Sequence, residues 1–452
     1  MILNTRKLRD FLAFSRLKPD FNLSNSLFAF IQPIDKEIFD SALLSLNLPS
    51  DTCFYWNNPE SNKIFLSIGE CYKINNSIHT DEFNFISNMD EFRLEQVPAI
   101  FVSIKFPSDK NDSVWQVFDQ FSYSVPRLIF YTENNLCYLI IFLSPQEINS
   151  SNNIIDELEK KIESIGSNKI SFYSPATYKI ISKTSYDEWT EMVNYALRKI
   201  SEDVISKVVL SRILECEISC MPNLIHIISK LKEDYPESSI FIYRRWNSIF
   251  LGASPEKLLV INKNKIETEA LAGTTKRGET DSADNQLSNL LLNDKKELAE
   301  HNNVVEYIVK IISEFAAGIQ FGKPSIKKLK YIQHLWTPIK ADLIQNISVF
   351  NIINKLHPTP AVCGDPKESA LELINKLENF ERGLFTGVLG WYSNNGLGEF
   401  TVAIRSALIN YNKLLVYAGC GIVEGSIPEK EFYETELKLK SILSLFQHEP
   451  SN

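Results

Sequence analysis

The segment 399-EFTVAIRSALINYNKLLVYAGCGIVEGSIPEKEFYETELKLK-440 joins a sheet to an acidic helix. Its apolar runs at 399–409 and 414–418 predict two β-strands separated by a polar turn. After the glycine-rich run at 418–421, the pattern predicts a last helix over about 428–446. Glu431 and Glu434 are three residues apart, so both carboxylates lie on one face of that helix.

The rest of the chain alternates between strands and helices. Helices are predicted at 152–165, 294–316 and 367–380, and a capping box formed by Ser185 and Glu188 starts another. Further strands are predicted at 99–105, 127–131, 207–214, 239–243, 249–252 and 384–392. No GxGxxG sequence follows a strand, which argues against a doubly wound nucleotide-binding fold. The segment 166–178 is the best candidate boundary, dividing the chain into 1–180 and 181–449.

Composition and charge exclude several classes of protein. The chain has 47 basic and 56 acidic residues, a net charge of −9, so nucleic acids and anionic membranes are poor candidate partners. The seven cysteines form no CxxC pair, and their odd number together with the absence of a leader suggests reduced thiols in the cytoplasm. The strongest apolar run, 137–143, is far shorter than the ~20 residues that span a bilayer. We therefore expect a cytoplasmic protein with no membrane partner.

Two carboxylate pairs are candidate metal ligands. Glu297 and Glu300 precede His301 on the helix predicted at 294–316, and they match the pair Glu431 and Glu434. Either pair alone is commonplace on a surface helix. Two such helices facing each other could bind a hard cation such as Mg²⁺ through oxygen ligands. A di-iron site would need Glu-x-x-His, whereas Leu298 stands three residues before His301.

Glycine-rich runs and isolated charges complete the set of candidate site residues. The runs AGTT (272–275) and AGCG (418–421) could bring backbone amides close to a small anion, or could simply be tight turns. Lys207, Glu256 and Arg405 lie in or beside apolar strands, where a charge is costly unless it is paired or used. For Lys207, a strand-end lysine that reaches solvent is equally compatible with the pattern. Together these features predict an enzyme with a hard metal and a small anionic substrate.

Taken in order, these motifs resemble the chorismate-utilising enzymes, the family that includes anthranilate synthase component I, and within it the isochorismate synthases. The resemblance is dense over 185–446. It rests on the strings KVVLSR (207–212), LGASPEKLL (251–259), ETEALAGTTKRG (267–278), DKKELAEH (294–301), HLWTPIK (334–340), LHPTPAVCGDP (356–366), RGLFTGVLGW (382–391), EFTVAIRSAL (399–408), YAGCGIVEG (417–425) and PEKEFYET (428–435).

The resemblance implies an α+β fold of large antiparallel sheets with flanking helices. Residues 1–180 would be a divergent part of the scaffold, and 181–449 the chorismate-binding catalytic domain. It also implies a Mg²⁺-dependent conversion of chorismate to isochorismate, in which water adds beside the carboxylate-bearing ring carbon and the 4-hydroxyl leaves. Lys207 would be the general base that activates water, and Glu256 the general acid that protonates the leaving hydroxyl.

The remaining site residues are also implied by the resemblance. Glu300 and Glu434 would bind Mg²⁺, supported by Glu297 and Glu431. Arg405 would bind the enolpyruvyl carboxylate, and Lys438 would supply a second cation. The expected substrate contacts further include the backbone amides of Gly273, Thr274, Gly419 and Gly421, and two residues that line the ring, His334 and Thr359.

The sequence departs from the family pattern at two positions, and other activities stay open. Cys363 replaces a usual Gly, which puts the local turn in doubt, and Cys420 replaces a usual Ala. Phe385 stands where some salicylate-forming relatives have Tyr, which favours release of isochorismate. The alternatives are a salicylate synthase, an aminating enzyme of anthranilate synthase type with an amidotransferase partner, and an inactive chorismate-binding protein. We expect no obligatory protein partner and a monomer or weak homodimer.

Overall fold

The computed structural model describes residues 2–16, 26–48, 52–74, 84–88, 98–149, 151–166, 175–344, 347–393 and 395–449. Most of the predicted linker at 166–178 therefore lies outside the described residues. The strands in the described part of the chain are β1 (Ser26–Ile34), β2 (Thr52–Asn58), β3 (Lys63–Ile74), β4 (Asn84–Ser87), β5 (Pro98–Ile104), β6 (Phe121–Glu133), β7 (Leu136–Leu143), β8 (Thr177–Lys183), β9 (Lys207–Ile218), β10 (Ser239–Arg245), β11 (Ser248–Ser254), β12 (Lys257–Asn262), β13 (Lys265–Lys276), β14 (Ala316–Phe321), β15 (Ser325–Lys328), β16 (Ile332–Leu343), β17 (Gly364–Asp365), β18 (Val388–Ser393), β19 (Leu397–Val402), β20 (Ser406–Asn410), β21 (Lys413–Ile422) and β22 (Gln447–His448).

The long strand β6 connects two sheet layers. Its C-terminal half pairs with β7 and its N-terminal half with β5, while β3 runs along its other edge. One layer continues through β3-β2-β10-β11-β20-β21-β9, and the other through β5-β18-β19-β12-β13-β16. Pairings between described strands are antiparallel except β1–β4 and β8–β22. The predicted α+β fold with large antiparallel sheets is confirmed.

The helices flank these layers. They are α1 (Thr5–Arg16), α2 (Lys36–Leu43), α3 (Pro145–Asn149), α4 (Ser151–Gly166), α5 (Tyr186–Ser201), α6 (Leu224–Asp234), α7 (Asp281–Asn293), α8 (Lys295–Ile312), α9 (Val349–Leu356), α10 (Lys367–Leu377) and α11 (Pro428–Leu443). Within the described ranges, no helix is both long and apolar enough to cross a membrane.

Successive side chains of a strand point to opposite faces of the sheet, and this alternation separates the apolar cores. On β10, Phe241 and Tyr243 face the core shared by both layers, whereas Ile240 and Ile242 face a second core that includes α1, α2, α4 and α6. A third core packs α5 and α10 against β9 and β21. On β9 the even-numbered Val208 and Leu210 enter that third core. The odd-numbered side chains, starting with Lys207, point the other way.

Several predicted elements differ in extent; the helix predicted at 367–380, for example, ends at Leu377. The strand predicted at 399–409 is interrupted between β19 and β20, because Arg405 adopts φ 51° and turns the chain. The helix predicted at 294–316 ends at Ile312, after which β14 begins at Ala316. The strand predicted at 384–392 begins only at Val388, since Phe385 and Gly387 donate backbone hydrogen bonds within a turn.

The N-terminal part contributes strands to both layers. In one layer β2 pairs with β10, and in the other β5 pairs with β18. A boundary near residue 180 stays a prediction, because the two parts share their sheets.

Candidate active site

Most of the predicted site residues line one cavity of about 800 Å³, a volume that includes solvent at its mouth. Its walls come from β13, α8, β21, α11 and the turn between β19 and β20. Predicted residues that line it are Glu256, Gly273, Thr274, Glu297, Glu300, His334, Arg405, Gly419, Gly421, Glu431, Glu434 and Lys438.

Glu256 is a buried carboxyl group, 5% exposed. Burial, reinforced by the negative charge of Glu269, raises its pKa to about 8, although Lys207, Lys327 and Lys438 oppose the rise. At neutral pH this side chain therefore carries its proton. A protonated carboxyl group on a cavity wall can act as a general acid.

Lys207 lies at the start of β9 and is fully buried. Its Nζ is 2.7 Å from Oε1 of Glu300. Burial works to raise the pKa of Glu300, but Lys207, with Lys296 and Lys438, outweighs burial and holds that pKa below its usual value. The alternative of a solvent-exposed strand-end lysine is therefore wrong.

Gly421 makes room for this ion pair. A Cβ at Gly421 would lie 2.5 Å from Oε1 of Glu300 and 2.9 Å from Cε of Lys207. Gly419 is similarly confined, because its Cβ would lie 2.6 Å from Oγ of Ser211. Close packing explains both glycines, and neither has a positive φ.

The two carboxylate pairs line the same cavity from different helices, Glu297 and Glu300 from α8 and Glu431 and Glu434 from α11. Burial and the charges of Glu300 and Glu434 raise the pKa of Glu297 to about 7. Burial and Glu434 likewise raise the pKa of Glu431. These mutual effects show an excess of negative charge that a cation would relieve. His301 is not part of this set, since its ring bonds to the carbonyl of Ala272 and to Oγ1 of Thr337.

Arg405 and His334 form a polar pair on the opposite wall. The guanidinium donates to Nε2 of His334 at 3.2 Å, so Nδ1 of the imidazole carries the proton and donates to Oγ1 of Thr274 at 3.0 Å. Burial and the positive charges of Arg405 and Lys438 hold the pKa of His334 well below its usual value. Among the described residues, no carboxylate forms an ion pair with Arg405. This buried cation is available to an anionic ligand.

Known proteins that resemble this chain show its family. A family model described as chorismate binding enzyme matches residues 20–447. Isochorismate synthase MenF of Bacillus subtilis is 30% identical over 86% of this chain and 87% of its own. The chain belongs to the chorismate-binding enzyme family. The predicted resemblance is thereby confirmed.

Two further comparisons agree with this family membership. The salicylate biosynthesis isochorismate synthase of Pseudomonas aeruginosa is 37% identical over 56% of this chain and 54% of its own length. The structure of the menaquinone-specific isochorismate synthase of Escherichia coli superimposes with a TM-score of 0.76, covering 96% of this chain and 99% of that chain at 24% identity. At that identity the structural likeness shows the shared fold.

The departures from the family pattern fit the local structure. At Cys363 the positive φ falls on the next residue, Gly364, so a Cys side chain causes no backbone strain in that turn. Cys420 lines the cavity and donates weakly to the carbonyl of Glu431. Phe385 also lines the cavity, stacked on Tyr417 with ring centroids 5.2 Å apart.

Thr359, like Lys207, is a predicted site residue that the structure places outside the cavity lining. It is buried, and its carbonyl accepts hydrogen bonds from the amides of Val362 and Cys363. Ala361 and Val362, in the turn that Thr359 begins, form the wall instead. Direct contact between Thr359 and the substrate stays a prediction.

Sequence reasoning missed Lys296. This side chain lines the cavity beside both carboxylate pairs, with Nζ 3.3 Å from Oε1 of Glu431 and 3.8 Å from Oε1 of Glu297. A lysine in an acidic helical stretch is usually solvated, so the sequence carried no signal that this one bridges two helices.

Gly421→Ala is expected to lower activity by on the order of 10²-fold, because the new methyl group must displace Glu300 or Lys207. Steady-state kinetics measures the loss. Gly322→Ala is the matched control, since a Cβ there meets nothing within 4 Å. Wild-type kinetics in Gly421→Ala would show that the close approach of Lys207 and Glu300 has no role in turnover.

Proposed function

We propose that this chain is an isochorismate synthase that converts chorismate to isochorismate in the cavity described above. One observation carries the proposal. Glu256, with its pKa raised to about 8, presents a protonated carboxyl group to a cavity that is also lined by Arg405 and by Glu300, the partner of the buried Lys207. An acid and an anion-binding cation thus line one space, and a candidate base lies directly behind Glu300.

In the proposed reaction, a water oxygen bonds to the ring carbon beside the carboxylate-bearing carbon, and Lys207 takes the water proton. The ring double bonds shift, and the bond between the ring and the 4-hydroxyl breaks. Because hydroxide is a poor leaving group, Glu256 donates its proton so that water departs. One water enters and one leaves, so the overall change is an isomerisation.

Arg405 suits the enolpyruvyl carboxylate. Its planar guanidinium can form two parallel hydrogen bonds with a carboxylate, and His334 on one side fixes its orientation. Lys438 adds positive charge from α11, where its Nζ donates to the carbonyl of Gly419. Gly273 and Gly419 have no side chains, so a carboxylate can approach the backbone amides near them closely.

The four glutamates suit a hard divalent cation. Glu300 and Glu434 would bind Mg²⁺, with Glu297 and Glu431 in support, because carboxylate oxygens are the ligands that Mg²⁺ prefers. No group of three acidic, histidine or cysteine side chains in the described ranges forms a preformed metal cage. A Mg²⁺ ion held there would therefore need further oxygen ligands from water or substrate. When bound, Mg²⁺ would neutralise substrate charge.

Lys207 must be neutral to accept a proton from water. In the structure its ammonium is held by Glu300, so its role as a base requires that Glu300 engage another cation. Glu300 is also one of the residues that would hold Mg²⁺.

We also propose a cytoplasmic location and activity without an obligatory protein partner. All seven cysteines are free thiols, which suits a reducing compartment.

The purified protein, incubated with chorismate and Mg²⁺, is expected to release isochorismate without salicylate or pyruvate. Chromatographic separation of the three compounds makes the measurement. Addition of a chelator is the control, and it should stop the reaction. Salicylate with equimolar pyruvate would identify a salicylate synthase instead, and unchanged chorismate would point to a protein that binds without turnover.

A further inference from the structure

An ion pair outside the cavity lies directly behind Glu256. Nζ of Lys327, on β15, is 3.2 Å from Oε1 of Glu269, on β13, and both side chains are nearly buried, at 11% and 2% exposed. Neither residue is among those that line the cavity. A buried ion pair contributes little net stability compared with apolar residues of similar volume, so its position is better explained by function.

This pair holds the backbone on both sides of Glu256. Lys327 donates to the carbonyl of Pro255 at 2.7 Å, and Oε1 of Glu269 accepts from the amide of Lys257 at 2.8 Å. The indole of Trp336 donates to the other carboxylate oxygen of Glu269. The residues before and after Glu256 are therefore each tied to one member of the pair.

The backbone of Glu256 itself is also fixed. Its carbonyl accepts from the amide of Val402 at 3.1 Å and from Oγ1 of Thr401 at 2.5 Å. Its amide donates to Oγ of Ser254 at 3.2 Å. With the backbone held, the charges behind Glu256 act from a fixed position.

We propose that Glu269 and Lys327 are positioning residues for Glu256, which clamp its backbone and set its state of protonation with two opposing charges. The inference rests on the proposed role of Glu256 as general acid. Neither residue lines the cavity, so both act through Glu256.

The two charges have opposite effects. After burial, Glu269 is the strongest influence raising the pKa of Glu256, and Lys327 lowers it. The groups that act electrostatically on Glu256 are Glu269 from β13, Lys327 from β15, Lys207 from β9, Lys438 from α11 and Arg405 from the turn between β19 and β20. Loss of Glu269 removes the charge that, after burial, raises this pKa most, whereas loss of Lys327 leaves Glu269 without its balancing ammonium.

The test compares pH–rate profiles. A general acid works while protonated, so activity falls as pH rises through its pKa. We expect Glu269→Gln to move this alkaline limb to lower pH and Lys327→Met to move it to higher pH, each by on the order of 1 on the pH scale. The double variant Glu269→Gln/Lys327→Met should return the limb close to its wild-type position.

Glu399→Gln is the matched control. Glu399 is also a buried carboxylate bonded to an indole, that of Trp56, but it is not among the charges that act on Glu256. Its replacement should leave the alkaline limb in place. If one single variant fails to fold, the alkaline limb of each remaining variant still has its own predicted position on the pH scale.

A second readout does not depend on turnover. The carboxyl carbon of Glu256 can be observed by NMR with ¹³C-labelled glutamate and assigned by the loss of its signal in Glu256→Gln. The midpoint of its pH titration should move to lower pH in Glu269→Gln and to higher pH in Lys327→Met. If wild type makes no isochorismate, the proposed function fails while this titration still tests the pair. The inference would be overturned if the two single variants moved the alkaline limb and the titration midpoint in the same direction, or if neither variant moved them.

Discussion

Glu300→Gln and Glu434→Gln are each expected to lower isochorismate formation by on the order of 10³-fold or more. Each change removes a charged oxygen ligand from a different helix, α8 or α11, and so removes half of the proposed direct protein ligands for Mg²⁺. The loss of Glu300 also leaves Lys207 buried without a carboxylate partner. Isothermal titration with Mg²⁺ and steady-state kinetics measure the two consequences separately.

Glu306→Gln and Glu429→Gln are the matched controls for these variants. Each removes an exposed carboxylate from the same helix as its counterpart, α8 or α11, away from the cavity lining. Both should bind Mg²⁺ and turn over chorismate as wild type does. Full activity of Glu300→Gln or Glu434→Gln, or of wild type in excess chelator, would contradict the proposed metal site.

Lys207→Ala and Glu256→Gln are each expected to lower the rate by about 10²–10⁴-fold, with little change in substrate binding. The first removes the group that takes the proton from water. The second keeps the shape of the acid but removes its proton, so the hydroxyl must leave unprotonated. Rate and KM against chorismate, measured at saturating Mg²⁺, separate loss of chemistry from loss of binding.

Added ammonium distinguishes the base from the acid. Ammonia needs less activation than water, so Lys207→Ala in ammonium buffer should form a trace of amino-deoxy product, which wild type should not form. Glu256→Gln should form none, because its leaving group still lacks a proton. Isochorismate formation at the wild-type rate by Lys207→Ala would show that the base has been assigned wrongly.

Ordered motifs allowed much of the cavity lining to be predicted from the sequence. Each glycine-rich or acidic string carries its own short-range spacing, so the pairs Glu297–Glu300 and Glu431–Glu434 could be placed on helical faces before any fold was known. The capping box at Ser185 and Glu188 likewise fixed the start of α5, where the structure has both of its hydrogen bonds. Local rules were sufficient for these features.

Features that depend on tertiary contact could not be predicted. Arg405 interrupts an apolar run that is typical of a single strand, and its positive φ arises where the chain turns between β19 and β20. Lys296 and the Glu269–Lys327 pair are ordinary charges in the sequence, and only the structure shows that Lys296 reaches Glu431 on α11 and that β13 and β15 bring Glu269 and Lys327 together. Thr359 was predicted to line the ring, whereas the cavity wall is formed by Ala361 and Val362 of the turn that Thr359 begins.

The source of the new hydroxyl oxygen tests the central claim most directly. When the purified protein converts chorismate in H₂¹⁸O with Mg²⁺, mass spectrometry of the isochorismate should show one ¹⁸O atom, carried by the hydroxyl on the carbon beside the carboxylate-bearing one. That label follows from water attack coupled to loss of the original 4-hydroxyl. Isochorismate without ¹⁸O, or formation of an aminated product in its place, would contradict the account.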